Sequence, residues 1–233
     1  LQSRCGNEGA IAGPLAKLSA TWAPLGKSAD QIVAEREGAV LARQFANEAN
    51  PAIHRATTAE EIWNDTDGQV DIVVAGIGTG GTISGTGHYL KDVSNGAVQV
   101  IGADPEGSIY SDPNDVHQYQ IEGVGEDFYP KAFDRSLPDE IVQVTDAEAF
   151  EMTRRLANEE GLLVGGSSGM AVFSALKYAR EHDLDENQLV VVLMPDSGRS
   201  YMEKIFNDDW MRANGFADVV ERTTKPSLAE QYL

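Results

Sequence analysis

A loop rich in glycine and threonine follows the first strongly apolar segment of the chain. Five glycines and two threonines lie between Gly76 and Gly85, directly after the apolar residues 70–75. Glycine lets the backbone turn its N–H groups towards a ligand and approach it closely. The helical pattern that follows would add unpaired N–H groups and the positive end of a helix dipole. With the hydroxyls of Thr79 and Thr82, these groups predict a phosphate-binding site.

The type of phosphate ligand stays open from the loop alone. Gly76-x-Gly78-x-x-Gly81 satisfies the dinucleotide fingerprint. Asp104 lies 28 positions after Gly76, whereas a ribose-binding acid is expected after about 20. The additional glycine and the threonines instead favour a compact nest for a phosphate monoester. A strand-to-helix turn that binds nothing is a third interpretation, which the density of glycines disfavours.

Two further turns follow apolar segments and carry small polar residues. They are Gly165–Gly169 and Pro195–Gly198. Because ligands of open α/β sheets collect at the carboxyl ends of the strands, we expect both turns to converge with the first loop on one crevice. Residues 121–125, inside a long connection, either approach the ligand with their backbone or turn at the surface.

The spacing of apolar residues predicts the elements that position these turns. Continuous apolar segments are typical of parallel strands covered on both faces. Strand, helix and strand in succession predict right-handed βαβ units and an α/β fold, a mostly parallel twisted sheet flanked by helices in three layers. The predicted strands are 70–75, 98–103, 140–144 and 189–194. The predicted helices are 30–47, one starting at Thr57, 80–93, 145–160, one from 165–169 to about 181, and 200–214.

Local signals predict where several elements begin and end. Thr57 with Glu60, and Thr145 with Glu148, have the spacing of N-terminal capping residues. We further predict a turn over residues 47–50 before Pro51, a long connection over 104–130 and a helix stop at Gly215. Three units are expected: a loop with one short helix over 1–28, a core over 29–220, and a polar linker over 221–233.

Composition excludes several classes of function. The net charge is −19, from 37 acidic and 18 basic residues, which argues against nucleic acid and anionic membranes as partners. No apolar segment reaches membrane-spanning length, and no metal site is predicted. The single cysteine, Cys5, cannot form an internal disulfide, which suits the reducing cytoplasm. The chain starts at Leu1 rather than methionine, so we expect a fragment or a processed product.

The loop and the second turn together resemble the cofactor site of a known family. Gly78-Thr79-Gly80-Gly81-Thr82 matches the loop that holds the cofactor phosphate in the β family of pyridoxal-phosphate enzymes (fold type II). Gly165-Gly166-Ser167-Ser168-Gly169 matches the segment whose serine, here Ser167, faces the pyridine nitrogen. The resemblance implies a tryptophan synthase β-like fold with pyridoxal 5'-phosphate as cofactor. It implies as cofactor-binding residues Gly78, Thr79, Gly80, Gly81, Thr82 and Ser167.

Further motifs are similar to the cystathionine β-synthase group of this family. They are 104–108, 122–128, 195–202, 210–211 and 215–216, and the resemblance runs from about 47 to 216. It implies β-replacement that joins serine, or an activated serine, to homocysteine, giving cystathionine in sulfur amino-acid metabolism. The implied partners are small amino-acid and thiol substrates and, by resemblance, a second copy in a homodimer. The alternative is cysteine synthase, which uses O-acetylserine and sulfide; that group usually has isoleucine where Gly166 stands.

Ser167 has a chemical and a structural interpretation. A neutral hydroxyl opposite the pyridine nitrogen leaves the ring unprotonated, which suits β-elimination followed by thiol addition. However, a serine before a helix is more commonly an N-cap. The residues alone leave both roles open.

Two parts of the family pattern are absent from this sequence. The family's Schiff-base lysine lies in an Asn-Pro-Gly-Gly-x-x-Lys segment, and its substrate carboxylate binds a Thr-Ser-Gly-Asn loop. The lysines here are Lys17, Lys27, Lys91, Lys131, Lys177, Lys204 and Lys225, and none has that context. We therefore assign the catalytic role to none of them and expect the C-terminal part of a longer enzyme, inactive alone. A non-catalytic cofactor- or dinucleotide-binding module is the alternative from another class.

Overall fold

The computed structural model describes residue 31 and residues 37–224. The predictions for 1–28, for Cys5 and for residues 225–233 lie outside the described residues. The same holds for most of the predicted helix between residues 30 and 36.

Four parallel strands form one sheet. They are β1 (Ile72–Gly76), β2 (Gln99–Pro105), β3 (Glu140–Val144) and β4 (Val190–Val192). The spatial order is β3-β2-β1-β4, and each neighbouring pair is parallel. The strand order therefore reverses at β1: the chain first adds strands on one side of it, and then returns to place β4 on the other.

Seven α-helices in the described residues flank this sheet. They are α1 (Ala49–Ala56), α2 (Thr58–Asp65), α3 (Gly81–Val93), α4 (Asp146–Arg155), α5 (Gly166–Glu181), α6 (Asp208–Ala213) and α7 (Ala217–Thr223). A π-helical turn, Leu156–Glu160, continues α4, and a 3₁₀ turn, Gly198–Tyr201, follows β4.

The sheet is covered on both faces, as its continuous apolar strands predict. Alternate residues of a strand point to opposite faces. Ile72 and Val74 of β1 belong to one buried cluster, which includes residues of α4, α5, α6 and α7. Val73 and Ala75 belong to another, which includes residues of α2 and α3. The predicted α/β architecture with helices on both faces is confirmed.

Several local predictions are confirmed to the residue. Strand β3 has the predicted bounds, and Thr145 forms a complete capping box with Glu148 at the start of α4. Gly215 has a φ of +91° just after α6, as a helix stop requires. Residues 106–139 contain no helix or strand, so the long connection extends beyond its predicted end.

Residue 31 is helical, but the helix predicted over 30–47 is wrong over residues 37–47. Residues 37–47 form turns and irregular backbone, because Gly38 and Arg43 take positive φ angles of 77° and 51°. The turn predicted over 47–50 is confirmed in part: Asn50 N donates to Asn47 O at 3.0 Å, but α1 already starts at Ala49. Pro51 is the third residue of that helix, where a proline needs no hydrogen-bond donor.

The cap predicted at Thr57 is also wrong. Thr57 precedes α2, but its hydroxyl donates to Ile53 O at 2.8 Å and caps no N–H of that helix. Thr57 is instead the C-cap residue of α1, and it is the only residue between α1 and α2.

Two elements of the C-terminal half are shorter than predicted. Strand β4 has three residues, all half-buried, because it lies at the edge of the described sheet. The helix predicted over 200–214 is interrupted. Its first part is a 3₁₀ turn, and α6 starts only after Asn207, whose side chain accepts from the backbone of the next turn.

Candidate functional site

Strands β1 and β4, which the chain places next to each other when the strand order reverses, end side by side. Val74 of β1 pairs with Val192 of β4, and Leu193 N donates to Val74 O at 2.9 Å. The glycine–threonine loop follows β1, and the Pro195–Gly198 turn follows β4. A crevice at such a reversal is where ligands of open α/β sheets bind.

The second and third turns contact each other directly. Gly165 N donates to Asp196 O at 3.3 Å, and Gly198 N donates to Leu163 O at 3.0 Å. An isolated antiparallel bridge joins Val164 to Ser197. The structure therefore brings together these two turns, which precede α5 and follow β4.

Residues 121–125 pack against both glycine-rich turns. Gly125 N donates to Ile77 O at 2.7 Å. A Cβ on Gly78 would lie 2.7 Å from Gly123 O, and one on Gly166 would lie 3.8 Å from Ile121 Cγ2. Ile121, Val124 and Gly125 are buried and Gly123 is exposed, so this segment turns at its glycines and also packs against both turns. Its backbone approach to a ligand stays a prediction.

The first loop ends in a cluster of backbone N–H groups without acceptors. The first intrahelical bond of α3 runs from Ser84 N to Gly80 O at 3.0 Å. Within the described part of the chain, no acceptor contacts the N–H groups of Gly78, Thr79, Gly80, Thr82 and Ile83. Buried amides are normally paired, so this cluster fits an anion such as a phosphate group.

Glycine is required at the turn into α3. Gly80 is buried and has a φ of +78°, in the left-handed region. A Cβ at this position would also overlap the side chain of Phe133. The loop thus places its N–H groups through a conformation that other residues take only at a cost.

Both threonine hydroxyls of the loop are held by α1, a contact that the sequence analysis missed. Asn50 Nδ2 donates to Thr79 Oγ1 at 2.9 Å, and His54 Nε2 lies 3.2 Å from Thr82 Oγ1. Burial lowers the pKa of His54, which favours the neutral ring. The spacing of Asn50 and His54, four residues apart, is the signal that could have indicated a shared helix face.

Ser167 is the second residue of α5 and not its N-cap. The N-cap position is Gly165, with extended backbone, and no side chain caps this helix end. Ser167 is 5% exposed, and its hydroxyl makes no hydrogen bond to any described residue. The N-cap interpretation is therefore wrong, and this hydroxyl is available to a ligand.

Tyr110 contacts the first loop, and two acids with raised pKa values, Asp104 and Glu126, lie near this tyrosine. Tyr110 donates its hydroxyl proton to Gly78 O at 2.6 Å. Asp104, at the end of β2, is fully buried, and burial raises its pKa to about 6. Burial, and to a lesser extent the charge of Asp127, raises the pKa of Glu126 to about 8. The Glu126 carboxyl therefore keeps its proton near neutral pH, whereas that of Asp104 is mostly ionised there.

Three of the described lysines have partners in the structure. Lys91 forms an ion pair with Asp139 at 2.7 Å, and Lys177 donates to a backbone carbonyl. Lys204 forms an ion pair with Glu122, which ties residues 121–125 to the segment after the 3₁₀ turn. The sequence analysis did not identify this second pair.

The described residues contain no helix that is long and apolar enough to cross a bilayer. They also contain no group of three or more histidine, cysteine or acidic side chains arranged to hold a metal ion.

Comparison with known proteins gives one family and a consistent set of relatives. Residues 18–196 match the family model described as pyridoxal-phosphate dependent enzyme. A cystathionine beta-synthase of Oryctolagus cuniculus is 46% identical over 187 residues, which are 78% of this chain and 33% of the relative. Those of Dictyostelium discoideum and Apis mellifera are 42% and 41% identical, over 81% and 82% of this chain and 38% of each relative. The chain thus spans about a third of the length of the curated relatives it matches.

Proposed function

The chain belongs to the family of pyridoxal-phosphate dependent enzymes, and we propose that it forms the cofactor-binding part of a β-replacement lyase. The substrates are serine, or an activated serine, and homocysteine, and the product is cystathionine. The observation that carries this proposal is the cluster of unpaired N–H groups in the loop and the first residues of α3. It supports a site for the cofactor phosphate, and the relatives named cystathionine beta-synthase support the reaction.

The proposed phosphate site consists of the first loop. Its members are Gly78, Thr79, Gly80, Gly81 and Thr82. The unpaired amides and two hydroxyls surround the phosphate with donors, and the N-terminal end of α3 adds a favourable dipole. This part of the site anchors and orients the cofactor, while the bonds of the substrate change elsewhere.

Ser167 is the proposed partner of the pyridine nitrogen. Support comes from its place at the start of α5 and from a hydroxyl that no described residue uses. When bound, the cofactor withdraws electrons from the substrate's α-carbon, so that the β-substituent can leave and a thiol can add. A hydroxyl can donate to the pyridine nitrogen without protonating it, and so Ser167 would keep that electron demand moderate.

We propose that the Schiff-base lysine comes from a segment outside this chain. Lys91, Lys177 and Lys204 are each engaged by another group, and no lysine here has the sequence context of the family. Residues 29–220 then form the cofactor-binding core portion, and the linker predicted over 221–233 begins only after α7, which ends at Thr223. The proposal also includes small-molecule partners, a homodimer and the cytoplasm as location.

The proposal is tested by β-replacement with the full-length protein. We expect cystathionine from serine and homocysteine, measured by mass spectrometry, and slower turnover of O-acetylserine with sulfide. Preference for sulfide would instead indicate cysteine synthase. Absence of a thioether product with every thiol tested would refute β-replacement.

A matched pair of glycine variants tests the site itself. Gly80 and Gly96 both have positive φ, but a Cβ would overlap Phe133 only at Gly80, while space around Gly96 is open. We expect Gly80→Ala to abolish binding of pyridoxal 5'-phosphate and Gly96→Ala to preserve it. Equal binding by both variants would contradict the phosphate site.

A further inference from the structure

One face of α1 contacts both hydroxyl groups of the glycine–threonine loop. Asn50 and His54 are four residues apart on that helix and therefore lie on the same side. Asn50 Nδ2 is 2.9 Å from Thr79 Oγ1, and His54 Nε2 is 3.2 Å from Thr82 Oγ1. Each threonine of the loop thus has its own partner on one helix.

The contacts at Thr79 determine where its hydroxyl proton can go. Thr79 Oγ1 accepts from Asn50 Nδ2 and, at 3.3 Å, from Gly81 N. A hydroxyl has two acceptor lone pairs and one donor proton. With both lone pairs engaged, the proton of Thr79 is free to donate to an anion in the nest.

The surroundings of His54 allow the same arrangement at Thr82. A neutral imidazole has one donor and one acceptor nitrogen, and burial lowers the pKa of this ring. His54 Nδ1 lies 3.0 Å from Thr58 Oγ1, which can donate to it. His54 Nε2 then carries the proton and donates to Thr82 Oγ1, and the hydroxyl proton of Thr82 is left for the anion.

Two glycines of α3 make this contact between the helices close. A Cβ on Gly81 would overlap the side-chain amide of Asn50, and a Cβ on Gly85 would overlap Pro51 O. Because α1 buries no residue completely, its position is not explained by apolar packing. It instead approaches the loop and the first half of α3 closely, at Gly81 and Gly85.

We propose that Asn50 and His54 are positioning residues of the phosphate site: they donate to Thr79 and Thr82, so that both hydroxyl protons point towards the phosphate. This inference rests on the proposed function, since it takes the anion to be the phosphate of pyridoxal 5'-phosphate. Neither side chain needs to touch the cofactor; each acts through a threonine.

The test compares pyridoxal 5'-phosphate with pyridoxal, which lacks the phosphate, in fluorescence titrations of the full-length protein. We expect His54→Leu to weaken binding of pyridoxal 5'-phosphate about fivefold to tenfold. This is the expected loss when the Thr82 hydroxyl is no longer oriented to donate one hydrogen bond to the phosphate. Binding of pyridoxal should not change. His54→Gln, whose amide can still donate to Thr82, should restore most of the loss.

A double-mutant cycle separates positioning from general stability. In a Thr82→Val background, His54→Leu should change the affinity for pyridoxal 5'-phosphate less than about twofold, because its target hydroxyl is gone. Asn50→Leu should behave in the same way against Thr79→Val.

Two results would overturn the inference while leaving the proposed function intact. One is equal weakening of pyridoxal and pyridoxal 5'-phosphate binding by His54→Leu. The other is an undiminished effect of His54→Leu in the Thr82→Val background. If the unsubstituted chain binds pyridoxal 5'-phosphate no better than pyridoxal, the proposed phosphate site is refuted, and the inference with it.

Discussion

Arg154 is a buried cation that joins the C-terminal elements to α4. It is 8% exposed, and all three of its guanidinium nitrogens donate. Nε contacts Thr223 Oγ1 at 2.7 Å, Nη1 contacts Ile205 O at 2.9 Å, and Nη2 contacts Asp208 Oδ1 at 2.6 Å. We predict that Arg154→Met, which keeps most of the side-chain volume, strongly destabilises the protein.

The magnitude follows from what each partner loses. Ile205 O would lose a charge-assisted hydrogen bond in a buried segment, which costs about 1.5 to 3 kcal/mol. Thr223 keeps its own bond to Val219 O at 2.7 Å, so its loss is smaller. Asp208 is 38% exposed and would regain water. The total is therefore about 3 kcal/mol, at the lower end of the cost of breaking a buried ion pair.

The next residue supplies the control. Arg155 is on the same helix and pairs with Glu159, but both side chains are 46% exposed. Arg155→Met should therefore cost only about 0.3 to 0.5 kcal/mol. Urea unfolding of the 233-residue chain, followed by circular dichroism, measures both free energies of unfolding.

We expect the midpoint of Arg154→Met to fall by about 1 M urea with little change in slope. If Arg154→Met lowered the free energy of unfolding no more than Arg155→Met, the buried network would have no measurable stabilising effect. The explanation for how α6 and α7 attach to the core would then be wrong.

Two further predictions concern the free energy of unfolding. Gly169→Ala should lower it by about 1 to 3 kcal/mol, because the new Cβ would overlap Thr153 Oγ1 where α5 crosses α4; a higher melting temperature would contradict this. The carboxyl of Glu126, whose pKa is about 8 in the folded state against an ordinary value of 4.5, holds its proton more tightly when folded, so the protein should lose stability as pH rises from about 4.5 to 8. Glu126→Gln should remove this loss, so that the free energy of unfolding at pH 8 exceeds that of the unsubstituted chain, and unchanged pH slopes in urea unfolding would refute it.

The parts of the fold with local signals could be predicted from the sequence. The apolar segments of β1 and β2 indicate burial on both faces, and Thr145 with Glu148 fixes the start of α4. The loop before α3 could be identified because glycine and threonine alternate there. Each of these features depends on residues close together in the chain.

The features set by distant contacts could not be predicted. Helix α1 has no fully buried residue and contains Pro51 in its first turn, so neither apolar spacing nor composition indicates a helix. Asn50 and His54 gain their roles only when α1 meets α3. The apolar β4 sequence indicates a central strand, but its place at the edge of the described sheet leaves it half-buried.

The strand order has a consequence for how the chain folds during synthesis. Strand β1 and the glycine–threonine loop are complete by Thr82, whereas the neighbouring strand β4 comes much later; Leu189 N bonds to Asp71, 118 positions away. Contacts of such long range slow folding, because a large loop must close before they form. Until residues 190–198 leave the ribosome, one edge of β1 stays unpaired and prone to wrong pairing. The proposed cofactor site is therefore among the last parts of this segment to form.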